Sequence, residues 1–417
     1  MRIKTILNRV QKYKSFVYGQ VTWLDTGGVP ELEIEMIPRT NSQPICSVCG
    51  CKASGYDRLP VRRFEFIPMW GIKVFLRYSP RRVNCPRCGK RVEKMPWSKG
   101  KRQLTESYAW FLSSWAKRLS WKEVAEVFHT SWDHVFNSVE MAVSWGKSHR
   151  DLSGIKAIGV DEIQWQRGHK YLTLVYQIDS DCRRLLWVGE NRTVKTLLSF
   201  FKEFGQDRSD QLEYVCSDMW KPYLTVIKKK AVNALNILDR FHIMGYLGKA
   251  IDEVRAQETK MLKEKGLQPV LTRSRWLLLK RPENLNEKQE SKLADLVQYN
   301  LKTVRSYLLK EEFQLFWEYI SPYWAGKFLD KWCTKTMRSK IEPMKKVAKM
   351  LRRHRSLLMN WFKANGQFSS GIVEGFNNKA KLTTRKAYGF RTYYAAQIAL
   401  YHTLGALPVP ETTHKFF

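Results

Sequence analysis

The stretch Ile155–Glu162, IKAIGVDE, decides the fold of the central part of this chain. It is an apolar run that ends in two acidic residues, which is typical of a buried strand with carboxylates at its end. After it, apolar residues recur with the period of strands in some segments and of helices in others. We predict strands over 169–178, 183–189, 213–217 and 234–238. We predict helices over 193–204 and 220–230. The predicted element order is therefore β-β-β-α-β-α-β.

This order is that of an RNase H-like fold. Asp161 ends the first predicted strand and Asp218 follows the fourth. Because these strand ends are neighbours in that topology, we expect the two carboxylates to converge. Hard oxygen ligands held together bind Mg²⁺ or Mn²⁺. Glu162 is the alternative to Asp161 on the first strand, and the alternation of side chains along the strand favours Asp161.

A third carboxylate is expected from a later helix. Glu374 lies in SSGIVEGFNNK, residues 369–379, at the start of the last long helical segment. It would complete a site for two metal ions about 3.5–4 Å apart. Asn377, Asn378 and Lys381 follow one or two turns later on the same face, where we predict that they meet a phosphate.

Two CxxC pairs, Cys46/Cys49 and Cys85/Cys88, indicate a metal site of a different kind. Four thiolates complete a closed tetrahedral site, so we predict one structural Zn²⁺ per chain. The 35 residues between the pairs contain two predicted strands and a tight turn, which would return the second pair to the first as a hairpin. A redox pair is the alternative.

The region around these cysteines is basic, with ten Lys or Arg and one acid from Arg58 to Arg91. We predict that this face contacts DNA phosphates, whereas a merely solvated face is the alternative. The candidate contacts are Arg62, Arg63, Arg81 and Arg82.

Helical periodicity begins at residue 104. Ser120 and Glu123 form a capping box for a short helix, and Ser131 can cap the next one, over 132–145. Two short helices joined by a turn of three to four residues are typical of a helix-turn-helix, although plain helical bundles use the same pattern. The candidate residues that face the DNA groove are Trp132, His134 and Asn137.

Charge restricts the partners of the chain. It has 417 residues, a formal net charge of +33 and a pI near 9.9, which favours nucleic acid or an anionic membrane. The N-terminus lacks the apolar run of a signal peptide, and the longest uncharged run, Thr392–Pro410, is typical of an amphipathic helix and a tail. We therefore expect a soluble cytoplasmic protein that binds nucleic acid.

Between His242 and Glu374 lie about 130 residues that we interpret as an all-helical insertion, with helices predicted over 241–265, 286–309, 311–320 and 341–364. Residues 335–355 carry nine Lys or Arg and one acid, which favours a DNA track over a solvated face. Core positions are favoured for the tryptophans of this region, and contact of one of them with a flipped or unpaired base near the cleavage site is the alternative: Trp276, Trp317, Trp324, Trp332 and Trp361.

The predicted fold class is multidomain α+β, and length alone favours two to four domains. The predicted order is an N-terminal segment (1–39), a zinc ribbon (40–98), a helix-turn-helix (99–150), the first part of the catalytic domain (151–250), the all-helical insertion (251–365), and the last part of the catalytic domain with the C-terminal tail (366–417).

Together these motifs resemble the DDE transposases of the prokaryotic insertion-sequence family ISL3. The resemblance covers nearly the whole chain and is carried by the four-cysteine finger, the helix-turn-helix, GVDE (159–162), SDMWKPY (217–223), DRFH (239–242), GIVEGFNNKAK (371–381) and YGFR (388–391). It implies metal ligation by Asp161, Asp218 and Glu374. It also implies that His242 lies near the scissile phosphate and that Arg391 contacts DNA. A helix-start Asp239 and a packed His242 are the alternative.

The resemblance implies a homodimeric transposase in the nucleoid of a prokaryotic cell, without membrane contact. Its finger and helix-turn-helix would bind terminal inverted repeats of double-stranded DNA. Two Mg²⁺ or Mn²⁺ ions per active site would support cleavage at the transposon end and attack of the freed 3′-hydroxyl on target DNA. The alternatives are a zinc-containing DNA-binding regulator on an inactive scaffold and a structure-specific nuclease.

Overall fold

The computed structural model describes residues 3–26, 29–267, 270–272, 274–280, 282–299, 301–366 and 371–411. The chain forms two compact units. Unit 1 comprises Met1–Asp151 and Arg385–Phe417, and unit 2 comprises Leu152–Thr384.

Unit 1 begins with a helix and seven strands: α1 (Ile3–Val10), β1 (Phe16–Thr26), β2 (Val29–Pro38), β3 (Ser54–Arg58), β4 (Arg62–Met69), β5 (Ile72–Tyr78), β6 (Arg81–Cys85) and β7 (Gly89–Val92). Four strands form one sheet in the order β1-β2-β5-β4, and β3, β6 and β7 form a second sheet. The predicted hairpin is present as β4 and β5, joined through Trp70 and Gly71, which both have positive φ.

This hairpin does not belong to the cysteine-bearing sheet. Strand β5 pairs in parallel with β2, and alternate residues such as Leu32, Ile34, Val74 and Leu76 are buried in one core around Trp97. The predicted boundary between an N-terminal segment and a zinc ribbon at residue 40 therefore divides strands that share a single sheet. Strand pairing across more than thirty residues has no local signal, which is why the sequence pattern missed it.

Three helices follow in unit 1: α2 (Glu106–Trp115), α3 (Trp121–Val127) and α4 (Trp132–His149). The side chains of Thr105, Ser120 and Ser131 cap them, and the capping box of Ser120 with Glu123 is present. Each cap satisfies a backbone N–H that the first helical turn leaves without a partner. The helical segments were thus predicted correctly, with α4 four residues longer than expected.

Unit 2 starts with the predicted α/β pattern: β8 (Ala157–Gln166), β9 (Lys170–Ile178), β10 (Arg183–Glu190), α5 (Val194–Phe204), α6 (Gln206–Asp210), β11 (Tyr214–Ser217), α7 (Lys221–Lys230) and β12 (Leu235–Leu238). The strand order is β10-β9-β8-β11-β12, with β8, β9 and β10 antiparallel and β11 parallel to both β8 and β12. Strand β8 runs four residues past the predicted end because it continues to pair with β9.

Helices cover this sheet because its strands are apolar. Phe200 of α5 and Tyr223 of α7 pack in one cluster with Ile158, Val160 and Val175 of the strands. Strand β9 is buried over almost its whole length. A strand that is buried on both faces is expected where helices cover both sides of a sheet.

The rest of unit 2 is helical, as predicted: α8 (Arg240–Glu264), α9 (Arg275–Leu279), α10 (Glu287–Val297), α11 (Lys302–Gln314), α12 (Pro322–Arg338), α13 (Glu342–Arg353), α14 (Arg355–Lys363) and α15 (Gly371–Lys386), with 3₁₀ turns at Pro282–Asn284 and Leu315–Glu318. The segments predicted over 286–309 and 341–364 are each interrupted. Trp332 and Cys333 of α12, which was not predicted as a helix, belong to the core of this region.

The last helix, α16 (Tyr393–Leu404), lies in unit 1. Its Tyr394 hydroxyl donates to Glu140 of α4 over 2.5 Å. Residues from Arg385 onward therefore fold with the N-terminal unit, whereas the sequence grouped 366–417 with the catalytic domain. Ser369, Ser370 and the last six residues of the predicted tail lie outside the described residues.

No helix among the described residues combines the length and the apolar character that a membrane crossing needs.

Candidate active site

Three aspartates lie nearly level with one another across three neighbouring parallel strands, with Asp161 within β8 and Asp218 and Asp239 directly after β11 and β12. The pairing of β8 with β11 ends at Gly159 and Cys216, and Asp161 and Asp218 each follow two residues later. The pairing of β11 with β12 ends at Ser217 and Leu238, so Asp218 and Asp239 each follow one residue later. Since neighbouring strands lie about 4.8 Å apart, this register makes the three residues neighbours.

The Asp161 carboxylate is held from two sides. One oxygen accepts from the backbone N–H of Glu162 over 2.8 Å, and the other accepts from the Asn377 amide over 2.5 Å. The Asn377 carbonyl oxygen in turn accepts from the Tyr176 hydroxyl over 2.9 Å. A phosphate contact of Asn377 stays a prediction, although its side chain is buried. Its role in the structure is to orient Asp161.

Helix α15 brings Glu374 to the same edge of the sheet. Phe376 stacks on Tyr176 of β9 with ring centroids 4.8 Å apart, and Val373 packs on Gly159 of β8. Glu374 precedes Asn377 by three residues, so the two side chains share one helix face. Within the described part of the chain the Glu374 carboxylate forms no hydrogen bond or ion pair, which leaves it open to a ligand.

Arg192, which follows β10, was not predicted from the sequence. Its guanidinium donates to Asp218 over 2.8 Å, forms an ion pair with Glu162, and lies 4.4 Å from the ring centroid of Trp220. Burial and the nearby Asp218 and Asp161 carboxylates raise the pKa of Glu162 to about 8, although Arg192 opposes the shift. Arg192 is far in sequence from both Glu162 and Asp218, so no spacing pattern predicts that it bridges these two carboxylates.

His242 lies between two of the aspartates, with Nε2 3.8 Å from Asp161 and 3.7 Å from Asp239. Its interaction with Asp161 raises the pKa of His242 to about 9, while burial opposes the shift. Burial alone would raise the pKa of Asp161, but the contacts with His242 and with Glu162 together outweigh it and the pKa is lowered. Asp239 also caps α8 by accepting from the N–H of Phe241 over 2.6 Å. Asp239 therefore starts α8 as its cap, and the position of His242 near a scissile phosphate stays a prediction.

The donor set of the site suits a hard divalent cation, since Asp161, Asp218 and Glu374 offer carboxylate oxygens. The structure does not gather these three around one point. Among the described residues, only the four cysteines form a group of three or more potential ligand atoms within 4.8 Å of one another. Asn377 donates to one oxygen of Asp161 and Arg192 to one oxygen of Asp218, so a bound cation would share these carboxylates with protein donors.

Cys46, Cys49, Cys85 and Cys88 form that group, and the sulfurs of Cys49 and Cys85 are 3.4 Å apart. The glycine after each pair has a positive φ, 74° for Gly50 and 71° for Gly89, which lets each knuckle turn back on itself. The cluster can hold a tetrahedral zinc ion with no open position.

The four arginines predicted to contact DNA from unit 1 all have partners within the protein. Arg63 pairs with Glu31 over 2.6 Å, Arg82 pairs with Asp57, and Arg62 donates to backbone carbonyls. Arg81 forms an ion pair with Glu93, whose side chain is 1% exposed. Arg81 is therefore held by an internal ion pair, and contacts of all four arginines with DNA stay a prediction.

The predicted groove residues of α4 are accessible in part. Trp132 is half-exposed and stacks on Phe136 with ring centroids 5.3 Å apart. His134 and Asn137 line a cleft of about 290 Å³ together with basic residues of the preceding loop: Lys99, Lys101 and Arg102.

The remaining predicted contacts are exposed and lie in both units. Asn378 and Lys381 are exposed on α15, and Arg391 is exposed before α16.

Comparison with known proteins connects this site to one chemistry. Residues 158–399 match the ISL3 family of DDE enzymes, which is described as transposase. The chain is 27% identical to the transposase for insertion sequence element IS1001 of Bordetella parapertussis, over 93% of this chain and 95% of that protein. It is 28% identical to the transposase for IS1557 of Mycobacterium tuberculosis, over 88% of this chain and 87% of that protein.

Proposed function

The chain belongs to the ISL3 family of insertion-sequence transposases, and we propose that it cuts DNA at the ends of its element and joins the freed ends to target DNA in one RNase H-like site. The observation that carries this proposal is the alignment of Asp161 and Asp218 on adjacent parallel strands, with Asn377 tying Glu374's helix to Asp161. The strand order β10-β9-β8-β11-β12 and the helical insertion before α15 support the RNase H-like assignment.

We assign Asp161, Asp218 and Glu374 as the ligands of two Mg²⁺ or Mn²⁺ ions. Bound there, such ions would activate a water molecule or a 3′-hydroxyl and stabilise the charge that develops on the phosphate. Catalysis of this kind depends on positioning, because the protein supplies no covalent nucleophile.

The protein's own residues prepare the carboxylates for this task. Asn377 fixes the orientation of Asp161, and Arg192 balances the charge of Glu162 and Asp218. His242 lies against Asp161, where its ring can contact a phosphate oxygen near the ligands. The assignment of His242 rests on this position and on the Asp-x-x-His motif.

Unit 1 is proposed to recognise the DNA. The four cysteines would hold a structural Zn²⁺ that fixes the small sheet, and α3 and α4 would act as a helix-turn-helix. The cleft beside His134 and Asn137 has a basic wall, which supports a phosphate contact there. Because two transposon ends must be joined, we expect a homodimer that acts on chromosomal DNA in the cytoplasm.

A cleavage and joining assay tests this proposal. Purified protein would be mixed with a labelled duplex that carries the terminal repeat of its own element, a target plasmid, and either Mg²⁺ or EDTA. We expect end cleavage and strand joining that require Mg²⁺ and disappear in Asp218→Asn. Asp207→Asn, an exposed aspartate of α6, is the matched control. Tight binding of the end without any cutting, in Mg²⁺ or Mn²⁺, would overturn the catalytic assignment.

A further inference from the structure

The start of α12 carries an exposed apolar cluster that the carboxylate site does not use. Ile320 is 92% exposed, Tyr323 61% and Trp324 56%. Soluble monomers rarely leave several large apolar side chains exposed together unless they bind something. One turn further along the helix, Phe328 packs against the core of the insertion and contacts Tyr319, with ring centroids 5.4 Å apart. The cluster is therefore displayed on a firmly packed helix.

A row of basic side chains continues from this cluster along α12. Lys327, Lys331 and Lys335 are spaced by four residues, which is about 6 Å along the helix axis, and Arg338 follows in the next turn. Lys335 pairs with Glu312 over 2.8 Å. In the described part of the chain, no carboxylate lies within ion-pair distance of the other three. Lys327, Lys331 and Arg338 can therefore pair with an external anion.

Lys331, Lys335 and Arg338 of this row line one wall of a groove of about 850 Å³. Asp330 lies on the same wall and is paired with Arg355 over 3.0 Å. The other wall is formed by α11 and contributes Arg305 and the half-exposed Leu308. The Trp332 indole of α12 donates to the Leu309 carbonyl of α11 over 2.8 Å, which fixes the two walls. The groove is therefore a preformed channel with cations on both sides and an apolar patch within it.

The aromatic end and the basic row are joined by one lysine. The Lys327 ammonium lies 4.5 Å from the ring centroid of Tyr323 and 5.0 Å from that of Trp324. The two rings stand nearly perpendicular, with centroids 5.2 Å apart. Exposed rings beside a basic track are the combination with which proteins bind a single nucleic-acid strand, since bases stack on rings and phosphates follow the cations.

We propose that this face of α12, from Tyr323 to Arg338, binds one DNA strand, with its phosphates along the basic row and an unpaired base on Tyr323 and Trp324. The inference rests on the proposed DNA end processing and adds a contact outside the carboxylate site. A strand next to a cut end is the DNA most easily unpaired, and its bases can then leave the stack.

Charge and shape favour DNA over the other occupants of such a patch. A second copy of the chain would bring one basic row against another, and like charges oppose that contact. An anionic membrane would also attract the row, but Lys331, Lys335 and Arg338 line a concave groove that a flat bilayer does not enter.

The test is binding measured by fluorescence anisotropy without added Mg²⁺ or Mn²⁺, where metal-dependent cutting is absent and the zinc of the cysteine cluster is retained. Two probes are compared: the terminal-repeat duplex fully paired, and the same duplex with a short unpaired flank. We expect Trp324→Ala to weaken binding of the unpaired-flank probe by about tenfold or more and to leave the paired duplex unchanged. Trp324→Phe should restore most of the affinity, because it keeps a ring.

The matched control is Trp276→Ala. Trp276 is 62% exposed on α9, but its neighbour Arg275 is engaged with Asp252 over 3.2 Å. Changing Lys331 and Arg338 together to glutamine should weaken both probes and reduce the slope of log affinity against log salt by roughly 0.7–0.9 per charge.

Three results would overturn the inference. Trp324→Ala could behave like Trp276→Ala, it could change the oligomeric state in size-exclusion chromatography while DNA binding is unchanged, or it could lose binding to phosphatidylserine vesicles alone. The proposed function fails separately, if the wild type does not cut or join ends in Mg²⁺. Wild-type cutting together with unaffected α12 variants would leave the function standing and remove only this surface.

Discussion

Replacing Gly159 by alanine tests whether packing of α15 on β8 positions the third carboxylate. A methyl group at Gly159 would overlap the Cγ2 atom of Val373. Carbon atoms in contact prefer about 3.5–4.0 Å, so α15 would have to move by roughly 1 Å. Gly159 has no positive φ, so the backbone itself accepts alanine. The perturbation therefore acts through the contact alone, and Val373 is the residue before Glu374.

Two magnitudes follow from this contact. Overpacking of a close-packed site costs about 1–3 kcal/mol of folding free energy. A displacement of about 1 Å at a catalytic group costs about 100-fold in rate. We expect Gly159→Ala to lower the free energy of unfolding by about 1–3 kcal/mol, measured by urea-induced unfolding. We also expect it to slow end cleavage by about 100-fold. Gly375→Ala on the same helix, where an added Cβ meets open space, is the stability control and should be neutral or stabilising.

A second substitution separates this explanation from a general loss of folding. Val373→Ala removes two methyl groups, which costs about 1.6 kcal/mol at ~0.8 kcal/mol each, and it also removes the clashing atom. In the double variant the two changes should compensate, with a coupling free energy of about 0.5–3 kcal/mol and recovery of most of the cleavage rate. Wild-type cleavage by Gly159→Ala, or strictly additive effects in the double variant, would refute the reasoning.

Three further predictions concern charge, zinc and pH. Arg192→Gln leaves the carboxylates of Glu162 and Asp218 without their cation, so we expect a loss of about 3 kcal/mol without added Mg²⁺ that Mg²⁺ partly restores. Thermal unfolding with and without Mg²⁺ measures this loss, and an equal loss in both conditions would count against the bridge. Cys85→Ser should reduce bound zinc from one ion per chain to near zero in elemental analysis, whereas Cys51→Ser, outside the sulfur cluster, should leave it unchanged. Burial lowers the pKa of His402 to about 3, below the ordinary value of about 6.5 in the unfolded chain, so its unfolded form takes up a proton first. Stability should therefore be full above pH 6.5 and fall towards pH 3 by up to about 1.4 kcal/mol per pH unit, and urea unfolding of His402→Phe should show a shallower dependence.

The positions of the aspartates could be anticipated because they depend on local features. An apolar run predicts a buried strand, and Asp161, Asp218 and Asp239 each stand at or just beyond the paired part of such a run. Once the element order was known, the topology made their strands neighbours. The capping box at Ser120 and Glu123 was equally local, since it lies within one helical turn.

The partners of these residues could not be anticipated in the same way. Asn377 meets Asp161 across 216 positions of sequence, and Arg192 meets Asp218 across 26. The motif around Asn377 favoured a phosphate contact. In the structure its buried side-chain amide donates to Asp161. Exposure also distinguishes the tryptophans: Trp332 is 1% exposed and Trp324 is 56%, although both lie on α12.

The amino-acid order alone was enough to recognise the strands that carry the aspartates, the two cysteine pairs, the helical insertion and the family resemblance. All of these depend on residue type and short spacing, because periodicity and ligand chemistry act between neighbours in the chain. Only the tertiary structure decided that β5 pairs with β2, that α16 folds with unit 1, and that Asn377 and Arg192 engage the carboxylates. These are contacts between distant segments, and their free energy exists only after packing has brought the segments together.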